Sequence, residues 1–421
     1  MNHSRRIARR ARESIGDLAE RSVIADEELH FPFPDSGDAG PSAEFKSNAG
    51  RPIIPAILRS GERAQLVCGY NEIKVLLSSD RVSRAAAASH GMTARSAESL
   101  ALNSADPPDH TRRRRAVAAS FTGRRAEQER AWIRRTAADL AAAMAARTPP
   151  ADLIARFSRP LSVAVICHVM GVPAADFPRF SALADVIMST AGYSAARIRA
   201  AHTQIFGYFA GLYDRELDRL ASGDRRGGVL TDLVIAADRD GTLGRAEAIH
   251  VAYGLLIAGY ETMSSQIAIC VSLLLSDRAR WQGLRGDLAG LRPAIEEMMR
   301  WTSLPATGGA PHVALEDFAI GTQKMHAGQI LIPVFAAANR DPRAFDDPDR
   351  LRLDRTGASH VAFGHGRHLC LGAPLARVEL EEALRALMIG LPELRLDVPA
   401  ADLRWRRGTF IRGLSALPVR W

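Results

Sequence analysis

Between residues 110 and 284, apolar positions recur every three to four residues with few interruptions, the spacing of helices that each bury one face. The breaks fall where proline, glycine and aspartate gather: TPPAD at 148–152, GVPAADFP at 171–178, STAGYSAA at 189–196 and SGDRRGG at 222–228. On either side of this block the pattern changes. RPIIPAIL (51–58), RAQLVCGY (63–70), PHVAL (311–315), FAIG (318–321) and QILIPVF (329–335) are short, rich in β-branched residues and bounded by turn formers, which predicts the strands of small sheets. NEIKVLLSS (71–79), LRPAIEEMMRWTS (291–303) and Ala373 to about Ile389 return to helical spacing. FPFPDSGDAGPS (31–42) predicts an extended lead-in, NRDPRAFDDPDRLRLDR (339–355) a meander, and TFIRGLSALPVRW (409–421) a strand and turn. The small and polar residues 81–106 predict a long loop, of the kind that forms a lid or binding wall.

Residues 248–276, AIHVAYGLLIAGYETMSSQIAICVSLLLS, are long and apolar enough to cross a bilayer. His250, Glu261, Gln266 and several hydroxyls interrupt them, so the expectation is a buried central helix and no membrane span. The predicted fold class is mainly α with small β-sheets, in one large domain over residues 31–421. Before it lies an arginine-rich arm, residues 1–30, with no uninterrupted apolar core of the kind a secretory signal needs.

Composition narrows the classes. Basic residues exceed acidic ones by 55 to 47, for a net charge of +8. Only Lys46, Lys74 and Lys324 are lysines, and aromatics make up 6% of the chain, so the basic residues are not interleaved with stacking side chains. That argues against a nucleic-acid partner. Cys68, Cys167, Cys270 and Cys370 stand about a hundred residues apart, which makes no disulfide framework and fits a reduced, cytoplasmic protein.

One cysteine has a distinctive setting. VAFGHGRHLCLGAP (361–374) surrounds Cys370 with glycine, histidine and arginine. A buried structural thiol is the commonest fate of a single cysteine. A nucleophile paired with His365 or His368, and a zinc site built from those two histidines and Cys370, are further readings, although the zinc site lacks a fourth ligand at ordinary spacing. The last reading is a lone axial thiolate to haem iron, pushing electron density toward O–O cleavage. It needs a close glycine-rich approach, cations for two propionates, and a helix N-terminus beside the sulfur; Gly364, Gly366 and Gly372, the basic residues and a helix starting near Ala373 supply these.

Phe363-Gly364-His365-Gly366-Arg367-His368-Leu369-Cys370-Leu371-Gly372 resembles the haem-binding signature of the cytochrome P450 family, F-G-x-G-x-[HR]-x-C-x-G. The resemblance extends from about Ile53 to Trp421 and is closest to soluble bacterial members. It implies a P450-like domain with haem b (iron protoporphyrin IX) between the long central helix and the cysteine loop. Cys370 is then the axial ligand, Phe363 packs near the sulfur, and His368 meets a propionate. His110 and Arg114, in DPPDHTRRRR, are implied at one propionate. His312 takes a position usually held by arginine, which makes that contact weaker in charge. Glu297 and Arg300 match the E-x-x-R helix, with Arg350 as the third member of its ion-pair clamp. Ala258-Gly259-Tyr260-Glu261-Thr262 resembles the A-G-x-[DE]-T segment: Ala258 and Gly259 leave room above the iron, and Glu261 with Thr262 delivers protons. Leu255, Ala258, Thr307, Phe410 and Ile411 are implied in the substrate pocket.

The implied activity is a monooxygenase that hydroxylates or epoxidises a small hydrophobic organic substrate of bacterial secondary metabolism. It uses dioxygen and two electrons from a ferredoxin and ferredoxin reductase, and works as a monomer. Arg112, Arg113, Arg115 and Arg367 are candidates for a basic surface toward the acidic ferredoxin. Oxidative coupling or ring formation on an aromatic or peptide-derived product is the alternative, and a non-catalytic haem protein a more distant one.

Overall fold

The predicted helical block is realised in a computed structural model, which describes residues 29–33, 40–89, 102–176, 178, 182–183, 186–187, 193–223, 227–302, 304–305, 308–406 and 409–421. Helix α1 is Tyr70–Ser78, α2 Asp109–Ala118, α3 Gly123–Ala145, α4 Arg159–Met170, α5 Ala195–Ala221, α6 Val229–Asp238 and α7 Arg245–Leu275. These are followed by α8 Arg278–Gly286, α9 Leu291–Trp301 and α10 Ala373–Gly390. Local chemistry sets several ends. The hydroxyls of Thr122 and Ser194 accept the N–H groups of Arg125 and Arg197 at the starts of α3 and α5. Gly171 stops α4 at φ +79°, a left-handed conformation that glycine adopts without cost.

The central helix α7 is apolar nearly all round because α4, α5, α6 and α10 surround it. Ile267, Cys270, Val271 and Leu274 are wholly shielded, each large apolar side chain contributing roughly 1.5–3 kcal/mol by burial. It alone among the described helices is long and apolar enough to cross a membrane, and 72% of its apolar window is buried inside the protein.

The strands are β1 His30–Phe31, β2 Ile53–Leu58, β3 Arg63–Val67, β4 Val82–Ser83, β5 Ala151–Asp152, β6 His312–Ala314, β7 Phe318–Ile320, β8 Gln323–Met325, β9 Ile330–Pro333, β10 Arg395–Leu396 and β11 Pro418–Arg420. The main sheet runs β1-β2-β3-β9-β6-β4. Within it β2 and β3 form a hairpin in register Ile53↔Val67, and β9 joins β3 in parallel at Leu66↔Ile332. A second sheet, β10-β11-β5, gathers segments from three parts of the chain, and β7 pairs with β8. Residues 81–106 differ from the expected uniform loop: β4 pairs with β6, and Arg84–Ser89 forms a short helix. Of the N-terminal arm, residues 1–28 lie outside the described part.

Candidate active site

The cysteine loop rests on α1. Gly366 has φ +65°, and a Cβ there would stand 2.3 Å from the Leu77 carbonyl oxygen, so only glycine lets the loop lie this close to the C-terminal end of α1. Gly364 takes φ +78°. The Cys370 N–H donates to the Phe363 carbonyl at 2.9 Å, and the Val361 N–H to the side-chain oxygen of Asn339 at 2.8 Å. Helix α10 then begins at Ala373 with a proline in its first turn. Burial pushes the Cys370 thiol up, while N–H groups of Gly372 and Ala373 and the charges of Arg114 and Arg377 pull it down. The net shift is upward.

Around this loop stands a dense set of donors. Arg114 donates to the Leu369 carbonyl at 2.8 Å, one residue before the cysteine. Arg377 lies over the Phe363 ring at 4.6 Å, held by Glu296 at 2.6 Å. The rings of His110 and His368 approach to 4.1 Å, and each has a buried Nε2 with no hydrogen-bond partner. Burial, then Arg114, Arg84 and Arg367, lower His110 to about 4; burial, then Arg84, His110, His312 and Arg367, push His368 far down. His312 is likewise lowered by burial, and its Nε2 accepts from Arg84 at 3.1 Å. Sequence reasoning missed Arg84. This buried guanidinium also donates to Asn103 at 2.7 Å, and burial lowers it to about 10 despite the nearby Asp106. Its only sequence signal is an arginine opening an alanine run in a segment otherwise taken for loop.

The clamp forms, with a change of member. Glu297 and Arg300 pair at 2.7 Å, both almost fully buried. Arg300 also donates to the carbonyls of Asn339 and Pro348 at 2.7 and 2.9 Å. The third arginine is Arg355, whose Nε meets Glu297 at 2.9 Å, and not Arg350. The Arg350 side chain is exposed, and the residue contributes its carbonyl, which accepts from Arg355 at 3.0 Å. Turns in the meander bring position 355 back onto Glu297, and sequence spacing cannot show that. Burial raises the Glu297 carboxyl, yet Arg300, the Arg352 N–H and Arg355 outweigh it and the net shift is downward.

On the other side, the α7 segment divides its roles. Ala258 is exposed in the middle of a buried helix, and Thr262 Oγ1 donates to the Ala258 carbonyl at 2.6 Å. Gly259, expected beside Ala258 in an open space, faces the other way: a Cβ there would stand 2.6 Å from Ile166 Cδ1, so it permits close packing of α4 on α7. Glu261 is buried and ion-paired with Arg406. Leu255 is half-buried against the main core, and Phe410 and Ile411 lie in the C-terminal segment whose Ile411 bridges Pro305. Thr307 lies outside the described residues.

Two other expectations change. Arg112 and Arg113, candidates for the basic docking surface, both pair with Glu247 at the start of α7, at 2.7 and 3.0 Å, and Arg367 pairs with Asp80. Of the four candidate docking arginines, Arg115 is the exposed one. The zinc alternative finds no support: no cluster of three or more His, Cys, Asp or Glu able to hold a metal occurs among the described residues.

A single thiol at a helix N-terminus, an orphaned His110–His368 pair and two arginines beside them fit an iron porphyrin with two anionic propionates. Residues 175–389 match the family Cytochrome P450. Mycinamicin IV hydroxylase/epoxidase of Micromonospora griseorubida is 39% identical over 363 residues, covering 86% of this chain and 90% of that protein. The chain belongs to the cytochrome P450 family. Biflaviolin synthase of Streptomyces coelicolor is 36% identical, over 88% of this chain and 90% of that one. A structure of the P450 MycG variant bound to mycinamicin IV superposes with TM-score 0.84 at 36% identity, over 94% of this chain and all of the other. A P450 with biaryl coupling reactivity does so with TM-score 0.85 at 33% identity, over 93% and 99%. The protein is a P450 monooxygenase of the haem-thiolate class, related to enzymes of bacterial secondary metabolism. Its class implies an organic substrate, dioxygen and redox partners.

Proposed function

We propose that residues 31–421 form one catalytic domain that binds haem b, takes electrons from a ferredoxin and its reductase, and hydroxylates or epoxidises a hydrophobic natural product in the cytoplasm as a monomer. The observation that carries this is the asymmetry of the cysteine loop: one thiol at the start of α10, beside unpaired His110 and His368 nitrogens. Cys370 holds the iron, which requires loss of the thiol proton on binding. Arg84, His110, Arg114, His312 and His368 orient the propionates, with Arg84 supplying the permanent charge that His312 lacks. Phe363, Gly364, Gly366 and Gly372 shape the approach to the macrocycle.

Bound haem supplies oxygen activation and two-electron chemistry. The chain's part is positional. Ala258 keeps one face of α7 low, and Thr262, bonded back to the Ala258 carbonyl, holds a hydroxyl at that face. Glu261 with Thr262 passes protons there, a kind of step that typically contributes about 10²–10⁴-fold. Leu255, Ala258, Phe410 and Ile411 line an apolar substrate wall. With Arg112, Arg113 and Arg367 ion-paired, the docking field for an acidic ferredoxin rests more on Arg115 than on the whole run.

The reduced protein under carbon monoxide should show the red-shifted Soret band of a thiolate complex, and Cys370→Ala should abolish it. Survival of the band in that variant overturns the assignment. Oxidative aromatic coupling is the second reading, favoured by the likeness to biflaviolin synthase and to the P450 with biaryl coupling reactivity. Turnover under ¹⁸O₂ of compounds that induce a spin-state shift separates the two: monooxygenation labels the product, coupling leaves it unlabelled.

A further inference from the structure

Arginine charges of Arg114 and Arg377 both act on the Cys370 sulfur. Arg114 comes from α2, bonds the Leu369 carbonyl at 2.8 Å and belongs to the propionate set, where a bound anion offsets its charge. Arg377 belongs to α10 itself, in the second turn of the helix that starts at Ala373. Helical side chains lean toward the N-terminus, so Arg377 reaches back over the cysteine loop. Its guanidinium lies 4.6 Å over the Phe363 ring, the geometry of a cation on an aromatic face. The Phe363 carbonyl accepts the Cys370 N–H at 2.9 Å. The guanidinium thus lies on the residue that itself holds the cysteine.

Arg377 is not a bare cation. Its Nε and Nη2 donate to Glu296 Oε1 and Oε2 at 2.6 and 2.9 Å, a two-pronged pair between α9 and α10. Behind the carboxylate, Nε2 of His360 stands 3.1 Å from Oε2. Burial raises the Glu296 carboxyl, but His360 and Arg377 bring it down to about 2, so it stays ionised at neutral pH. Glu296 directly precedes Glu297, yet the two acids serve different partners: Glu297 meets Arg300 and Arg355, and Glu296 meets α10. The Arg377 and Glu296 side chains are 38% and 40% exposed. A pair this open contributes little to stability, so its placement over Phe363 counts for its charge.

We propose that the Arg377–Glu296 pair sets how strongly Cys370 donates to the iron, and so how readily the iron accepts an electron. Both act through Phe363 and Cys370, as positioning residues that touch neither substrate nor oxygen. The Arg377 charge holds electron density on the sulfur and away from the iron, which eases reduction. Glu296 opposes it. The electron comes from the redox partner and ends on the iron, and no bond forms or breaks at the pair. All of this rests on Cys370 as the ligand of the iron.

The test uses the substrate-free holoenzyme, Arg377→Gln, Arg377→Lys, Glu296→Gln and the double variant carrying both glutamines. Each is poised with reference dyes, and its ferrous fraction is read from the Soret band. At the poise that leaves the wild type half reduced, Arg377→Gln should be more oxidised and Glu296→Gln more reduced. Each should move the ferrous-to-ferric ratio by a factor of about three to five. The double variant should return near the wild type, and Arg377→Lys should keep most of the ratio because it keeps the charge. The C–O stretch of the ferrous carbon monoxide complex should follow, lower in Arg377→Gln and higher in Glu296→Gln. A purely structural pair would shift both single variants in one direction and the double variant further. That pattern, or an unmoved ratio in Arg377→Gln, overturns the proposal. Where Arg377→Gln does not hold haem, Glu296→Gln decides: a ratio that is unmoved or more oxidised overturns it. A thiolate carbon monoxide band certifies each variant. Its absence from the wild type overturns the haem-thiolate assignment and this proposal together, whereas a normal band with unmoved ratios overturns this proposal alone.

Discussion

The two sides of the site are held in contrasting ways. On the cysteine side, Glu297 is gripped by two arginines and a backbone N–H, Arg300 reaches two further carbonyls, and Gly366 rests directly on α1. On the oxygen side the acid has one arginine, and that arginine hangs from a loop with 25% of its side chain exposed. Redundant bonds hold a ligand that must not move. A single pair to a partly exposed arginine is a lighter restraint.

The sharpest way to break this contrast is to make the same change on both sides. Glu297→Gln removes one partner of a buried, multiply bonded pair, a loss of about 3–5 kcal/mol. It should yield protein that fails to retain haem, read as a missing carbon monoxide band. Glu261→Gln should keep that band and lower the melting temperature by clearly less, because its partner is partly solvated. Equal losses would mean that both sides are structural clamps. Next in size, Gly366→Ala forces a side chain into left-handed backbone, at about 1–3 kcal/mol, and against the Leu77 carbonyl. It should loosen the cysteine loop and shift the Soret band of the ferric protein.

A smaller effect tests how dry the cysteine side is. Glu379 on α10 is fully buried, and burial raises it to about 8. A carboxyl raised on folding contributes stability that is complete below its unfolded value near 4.5 and is lost as pH rises through 8. Glu379→Gln cannot ionise, so its melting temperature relative to the wild type should climb between pH 5 and pH 9. A constant difference would place water beside Glu379. Smallest of all, Arg350→Gln should stay within about 0.5 kcal/mol of the wild type, as exposed substitutions do, whereas Arg355→Gln should approach the loss seen in Glu297→Gln. Denaturant unfolding of the two variants separates them.

What could be read from the chain divides along the same line. The cysteine loop, the α7 segment and the Glu297–Arg300 pair are local patterns, and each falls on the element its spacing predicted. The small sheets were visible as strands, but not their order: β3 pairs with β9 across some 260 residues, and nothing in either strand names its partner. Arg84, Arg355 and Arg406 were invisible for the same reason. Each acts on a residue at least 50 positions away, in a chain so rich in arginine that one more draws no notice. Gly259 shows the opposite failure, since a local motif suggested open space where the helix needed room for Ile166.

Helix α2 shows what an arginine run can do in such a fold. Successive residues on a helix point about 100° apart, so one run of long side chains can reach two parts of the molecule. Arg112 and Arg113 grip Glu247, at the root of the helix that carries Ala258 and Thr262; Arg114 grips Leu369, the residue before Cys370. A short surface helix thus ties the wall built on α7 to the wall built on the cysteine loop. Lengthening or softening it would alter the gap without touching a single atom that meets iron, oxygen or substrate.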